Sequence, residues 1–284
     1  DGQNTDDFFG ESVSAAGDIN GDGFDDVIIG APQANGRGSA YAYSGADGLL
    51  LFQWDGQNTY EFFGKSVSAA GDVNNDGFDD VIIGSPIFIA PVALDGNVYV
   101  YSGADGSLIH HWDTNNAPAY APDQAFGYSV SGAGDVNNDG FDDIIIGSGT
   151  PRNFVNVFYS RLGSAYIYSG FDGSLLYYWA AQNTETSFGE TVSAAGDINN
   201  DGFDDVIVGA PGASQPQGYS GSAYAYSGID GSLIYQWGGQ NTYDFFGHSV
   251  SEAGDVNGDG IDDVIIGAPS TSTGVTGRAP AQFW

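Results

Sequence analysis

One nine-residue pattern occurs five times and constrains the fold more than any other feature of this chain. Asp-Ile/Val-Asn-Gly/Asn-Asp-Gly-Phe/Ile-Asp-Asp begins at Asp18, Asp72, Asp135, Asp197 and Asp255, at intervals of 54, 63, 62 and 58 residues. A unit that recurs at this length is one supersecondary element, and it buries its apolar face only against its neighbours. The intervals are irregular, so the insertions belong in loops.

Every unit reads in the same order. A Phe-Gly pair (Phe9-Gly10, Phe63-Gly64, Phe126-Gly127, Phe188-Gly189, Phe246-Gly247) leads into a short Ser-Val-Ser-type run, with Thr191 for Ser in the fourth copy. The acidic loop follows, then an apolar run such as Val27-Ile28-Ile29, ending at Gly30-Ala31-Pro32 or a relative of it. A variable loop leads to Ser39-Ala40-Tyr41-Ala42-Tyr43, and an Asp-Gly turn (Asp47-Gly48) leads to Leu50-Leu51-Phe52-Gln53-Trp54. Short runs rich in Val, Ile, Tyr and Phe, bounded by Gly, Asp, Pro and Ser, are strands joined by hairpins. No window keeps a 3.6-residue period, so helix content should be near zero. Small residues such as Ala15, Ala16 and Gly17 suit crowded positions where sheets converge.

A single four-stranded sheet cannot bury both of its faces, but several can when stacked face to face around an axis. The expectation is therefore an all-β chain: a β-propeller of five four-stranded antiparallel blades, forming one domain over residues 1–284. The blades should fall near 1–54, 55–112, 113–179, 180–237 and 238–284. A β-solenoid is the rival, but its repeats are shorter and more uniform. The last blade should be atypical or incomplete. Aligned by repeat, Arg278 to Trp284 form its third strand and the fourth is missing; a looser alignment matches Gln282-Phe283-Trp284 to Phe52-Gln53-Trp54.

The Phe-Gly pair, the Asp-x-Asn-x-Asp-Gly-x-x-Asp loop and the Gly-Ala-Pro end together resemble the FG-GAP repeat, which builds the propeller at the head of integrin α-subunits. The resemblance covers the whole chain. It departs in number, since the integrin head has seven such repeats. It also departs in the third copy, where Gly147-Ser148-Gly149 replaces Gly-Ala-Pro, and in the second, which has Gly84-Ser85-Pro86.

Within the first loop, Asp18, Asn20 and Asp22 offer oxygens at every second residue, Gly23 permits a sharp turn, the Phe24 carbonyl can turn inward, and Asp26 closes the loop. Hard oxygen donors in a flexible loop suit Ca²⁺, whereas Mg²⁺ demands a stricter octahedron. With no His or Cys in the loops, zinc and copper are poor candidates. An EF-hand needs Glu at its twelfth position, where this loop has Ile29 inside an apolar strand. The resemblance implies calcium between the first and second strands of each blade. Carried over, the ligand sets are Asp18, Asn20, Asp22, Phe24, Asp26; Asp72, Asn74, Asp76, Phe78, Asp80; Asp135, Asn137, Asp139, Phe141, Asp143; Asp197, Asn199, Asp201, Phe203, Asp205; and Asp255, Asn257, Asp259, Ile261, Asp263. Asp-Gly loops can also be plain turns. A turn needs one Asp or Asn, however, and these loops hold 20 of the 37 acids. About five structural Ca²⁺ are expected, and weak sites of this kind fill where calcium is abundant, which points to an extracellular, secreted or cell-surface setting.

Composition removes other function classes. The formal net charge of −32 argues against nucleic acid and anionic membranes. Without Cys there is neither a disulfide scaffold nor a thiol nucleophile. No apolar stretch approaches the roughly 18 residues of a membrane-spanning helix. The start at Asp1, with no initiator Met, reads as a mature or trimmed product. No nucleophile elbow, zincin motif or phosphate loop is present. His110 and His111 are adjacent, so on a strand they face opposite sides. Trp54, Trp112, Trp179 and Trp237 recur at strand ends, where they read as packing residues, with a sugar platform as the alternative.

Loops 2–3 and 4–1 vary between units, and variable loops are where a scaffold carries a specific site. Those of blades two and three hold Phe88, Tyr120, Arg152, Phe154, Phe158, Tyr159 and Arg161, typical anchors of a binding surface that could equally pack among themselves. The leading reading is a non-enzymatic, calcium-binding adhesion or protein-interaction propeller with a protein or glycan ligand on that face. The alternatives are a propeller lectin and an accessory domain of a larger secreted enzyme.

Overall fold

The computed structural model describes residues 6–87, 96–115, 125–149, 163–181, 187–214, 218–269 and 282–283. These residues form a β-propeller of five sheets, each with its strands in consecutive order and antiparallel. Blade one holds β1–β4 (Ser12–Gly17, Asp26–Ala31, Ser39–Tyr43, Leu50–Asp55), and blade two β5–β8 (Ser66–Gly71, Asp80–Pro86, Gly96–Tyr101, Leu108–Asp113). Blade three holds β9–β12 (Ser129–Gly134, Asp143–Gly147, Ser164–Tyr168, Leu175–Ala180), and blade four β13–β16 (Thr191–Gly196, Asp205–Ala210, Ser222–Tyr226, Leu233–Gly238). Blade five holds β17 and β18 (Ser249–Gly254, Asp263–Gly267) and a two-residue β19, Gln282–Phe283.

Phe283 pairs with Ile265 and Gln282 with Ile266, so this segment is a third strand. The looser alignment, which made Gln282-Phe283-Trp284 a fourth strand, is thereby corrected: the pairing partner is the second strand of the blade. Among the described residues, the one helical element is a single 3-10 turn, Ala34–Gly36.

The sequence pattern explains the stacking. Along β6, Val81 and Ile83 enter the core shared with blade one, while Ile82 enters the core shared with blade three. A strand covered on both faces is apolar without alternation, as this run is. Four such cores lie between successive blades, and each contains the Phe of one Phe-Gly pair: Phe63, Phe126, Phe188 and Phe246. That Gly-Ala-Pro and Phe-Gly recur together follows from one contact. A Cβ on Gly30 would lie 1.9 Å from the Gly64 carbonyl oxygen of the next blade, so only glycine permits the approach. Ser12, Ser66 and Thr191 hydroxyls donate to the Gly64, Gly127 and Gly247 carbonyls across the same seams.

The recurring tryptophans close each seam at its outer edge. The indole N–H groups of Trp54, Trp112 and Trp179 donate to the carbonyls of Gly106, Gly173 and Gly231, each in the Asp-Gly turn of the following blade, at 2.9–3.0 Å. His110 contacts the Gly170 carbonyl and His111 stacks on Tyr99, so the adjacent histidines do face opposite sides.

Candidate metal centre

Each acidic loop joins the first and second strands of its blade. The first strand ends in a bulge at its glycine, between Ala15 and Gly17 in blade one, and the bulge turns the chain out of the sheet. The opening aspartate then organises the loop. Asp18 accepts the N–H groups of Asp22 and Gly23, at 3.0 and 2.9 Å. Asp72, Asp135, Asp197 and Asp255 repeat those bonds at 2.8–3.0 Å. The fifth-position acids Asp22, Asp76, Asp139, Asp201 and Asp259 accept from the N–H of Phe24, Phe78, Phe141, Phe203 and Ile261.

The closing aspartate has a different environment. Asp26, Asp80, Asp143 and Asp205 are buried, and each bridges its loop to the turn after the third strand, accepting from Gly45, Gly103, Gly170 and Gly228. Burial pushes Asp80, Asp143 and Asp205 up to about 7, with the loop acids adding in the same direction and backbone N–H groups opposing. Asp26 is raised for the same reason. The opening acid Asp255, by contrast, lies below the usual carboxylate range, held there by the N–H groups of Gly260, Gly258 and Asp259.

The residues fit a hard cation. The Oδ1 atoms of Asn74 and Asn137, both at the third loop position, are buried and accept no hydrogen bond. An orphaned buried oxygen is a cost that a ligand can remove. Each loop carboxylate has about four lone-pair sites, so bonding to backbone N–H groups leaves others free. The loops supply oxygen donors only, which is the chemistry of Ca²⁺ or Mg²⁺. Among the described residues, no three acidic or His side chains converge as a ligand group. Each predicted set thus sits on one loop, with its opening and closing acids turned toward backbone N–H groups.

The sequence reading missed the role of the first Asp of the Asp-Asp pairs in blades two to five. Asp79 reaches back to accept the N–H of Asp18 in the preceding blade; Asp142, Asp204 and Asp262 do the same for Asp72, Asp135 and Asp197, at 2.8–3.1 Å. Adjacent acids on a strand face opposite ways, so one closes its own loop and the other latches the loop next door. The available signal was their recurrence at a position that the ligand set did not use. The partner-binding candidates Phe88, Tyr120, Arg152, Phe154, Phe158, Tyr159 and Arg161 lie outside the described residues.

The FG-GAP repeat model matches residues 9–43, 63–101, 126–168, 188–226 and 246–279. Similar proteins include integrin alpha-5 of Xenopus laevis, 31% identical over 76% of this chain and 21% of its own length. Integrin alpha-V of Gallus gallus is 29% identical over 73% of this chain and 20% of its own. The chain therefore spans about a fifth of the length of these curated relatives. Among solved structures, rhamnogalacturonan lyase YesW has a TM-score of 0.52 at 17% identity, covering 89% of this chain and 46% of that one. The Dos1 propeller has 0.51 at 12% identity, covering 86% and 52%. Both likenesses are of fold.

Proposed function

The chain belongs to the FG-GAP repeat family, and from that premise we propose that it is a calcium-stabilised, non-enzymatic adhesion or protein-interaction module that works outside the cell. The observation that carries this reading is the fivefold acidic loop, with its orphaned Asn74 and Asn137 oxygens. In this reading Ca²⁺ neutralises the crowded acids: at 4 Å and an effective dielectric near 20, one carboxylate pair repels by roughly 4 kcal/mol. Five bound ions would lower the formal charge from −32 to −22.

The loop residues do the structural part. Asp18, Asp72, Asp135 and Asp197 carry the N–H groups that the next blade's aspartates grip. A loop fixed by metal therefore also fixes a seam between blades. The opposite face, where loops 2–3 and 4–1 emerge, is then the one offered to a ligand. Similarity to integrin alpha subunits supports a protein ligand. None of the three histidines stands as a free base: His110 and His111 bond to Gly170 and Asn97, and His248 lies 3.9 Å from Glu190.

Thermal unfolding in calcium and in chelator, with bound metal counted, tests this. The expected result is about five Ca²⁺ per chain and a large fall in melting temperature on chelation. One site at 100 times its Kd contributes about 2.7 kcal/mol. An unchanged melt with no bound metal would reduce the loops to turns and remove the extracellular inference.

A further inference from the structure

Two tyrosines stand in a backbone conformation that tyrosine disfavours, and both are exposed. Tyr60 has φ +63° and is 65% exposed; Tyr243 has φ +67° and is 53% exposed. Both belong to the same motif, Gln-Asn-Thr-Tyr-Glu/Asp-Phe-Phe-Gly, at 57–64 and 240–247. Elsewhere among the described residues, left-handed positions are filled by residues that suit them: Asn35, Asn75, Asn138 and Asn200, or glycine. The position before each Phe-Gly pair is also left-handed, whichever residue stands there, and so belongs to the fold. Tyr60 and Tyr243 are departures from that economy. An exposed ring gains no core burial that would offset the strain, and such strain concentrates at functional sites.

Backbone hydrogen bonds fix both positions. Tyr60 N–H donates to the Gly36 carbonyl at 2.9 Å, and Tyr243 N–H to the Tyr219 carbonyl at 2.8 Å. Tyr219, itself 48% exposed, lies nearly parallel to Tyr243, with centroids 6.3 Å apart and planes at 21°. Tyr219 is in the 2–3 loop of blade four and Tyr243 in the 4–1 connection, so the pair sits on the face opposite the metal loops.

We propose that Tyr60 and the Tyr219–Tyr243 pair are stacking platforms for the apolar C–H face of a neutral saccharide. Chemistry selects this class. A chain of net charge −32 repels anionic glycans and nucleic acid. A cationic peptide would need a carboxylate beside the ring, but the acid of each motif is turned inward. Glu61 is fully buried, bonded to Asn58 N–H and the Tyr99 hydroxyl, and Asp244 is buried against Asn241. Within the two motifs the exposed neighbours Gln57, Asn58 and Gln240 are neutral amides, and amides hydrogen-bond sugar hydroxyls. Two platforms on one chain favour a repeating polysaccharide through avidity. This inference shares with the proposed function only the choice of face, and not the role of calcium.

The test uses Tyr60→Asn, Tyr243→Asn and Tyr219→Ala in the full chain. The probe is an array of neutral, sialylated and sulfated oligosaccharides, printed beside an arginine-rich peptide. Neutral glycans should be retained, and Tyr243→Asn or Tyr219→Ala should weaken retention at least tenfold. Asparagine relieves the left-handed strain, so Tyr60→Asn and Tyr243→Asn should each raise the melting temperature, by about 2–4 °C. Bound calcium should be unchanged in all three variants, which separates failure here from failure of the metal reading. Retention of the peptide or of anionic glycans instead, binding indifferent to the tyrosines, or a melting temperature that falls in the Asn variants would overturn the assignment.

Discussion

The Asp142 carboxylate accepts a 2.8 Å hydrogen bond from the backbone N–H of Asp72, 70 positions earlier in the chain. That bond ties blade three to the acidic loop of blade two. It requires Gly71, whose φ is +76° and where a Cβ would lie 2.1 Å from the Asp142 carboxylate.

Removing the acceptor should loosen one seam. Asp142→Ala leaves the Asp72 N–H without its partner and should cost about 1–3 kcal/mol in chemical denaturation. Asp142→Asn keeps an acceptor oxygen and removes a carboxyl whose pKa burial raises, so its cost should be smaller. Gly71→Ala should cost more than either, since backbone strain and the clash with Asp142 add. Equal stability of all three variants and the parent would show that the latch contributes nothing.

The buried closing acids set a pH dependence for the metal-free chain. Asp80, Asp143 and Asp205 sit near 7 in the fold against an ordinary value of 3.8. The folded state therefore binds more protons than the unfolded state between about pH 4 and 7. Stability should be greatest at the acid end of that window, fall as pH rises through it, and level off above 7. In chelator, the melting temperature at pH 5.5 should exceed that at pH 8. Excess calcium should flatten or invert the trend, because protons then compete with the metal. A chelated protein that melts higher at pH 8 would contradict the burial of these groups.

Local patterns made the repeat, the strands and the loop positions legible, because each depends on residues close in sequence. Val27-Ile28-Ile29 and its copies read correctly as strands; those of blades two to four are buried throughout, whereas Val27 in blade one is exposed. The latch aspartates were not legible. Which acid of a pair closes its own loop and which crosses the seam depends on contacts 61–70 residues apart. For the same reason Phe-Gly and Gly-Ala-Pro could be recognised as markers without revealing that Gly64 of one blade packs on Gly30 of another. The strain at Tyr60 and Tyr243 is a backbone property, and their residue type would have suggested an ordinary aromatic.

The tryptophan latches should be unequal. Trp112 is buried, donates to the Gly173 carbonyl and contacts Tyr168. Trp112→Ala should cost about 3–5 kcal/mol, and Trp112→Phe about 1 kcal/mol, for the lost hydrogen bond. Trp237 is only half-buried, and Tyr235 beside it is exposed. Trp237→Ala should therefore cost less than Trp112→Ala under the same denaturation conditions. Equal losses would mean that the seam between blades two and three is not what Trp112 holds.

Equivalent valines on the innermost strands provide the sharpest comparison of the blade faces. Val67, Val130 and Val192 are 6–7% exposed, whereas Val13, at the same place in blade one, is 60% exposed. The difference arises because Val67 packs into the core between blades one and two, and no described blade covers Val13 from the other side. Val67→Asp would bury a charge with no partner and should cost about 3–5 kcal/mol, or abolish folding. Val13→Asp places the same charge in water and should change stability by no more than about 0.5 kcal/mol. A comparable loss from both substitutions would mean that the face of blade one is covered in solution, and the melting profile of Val13→Asp at two protein concentrations would then show whether another copy of the chain covers it.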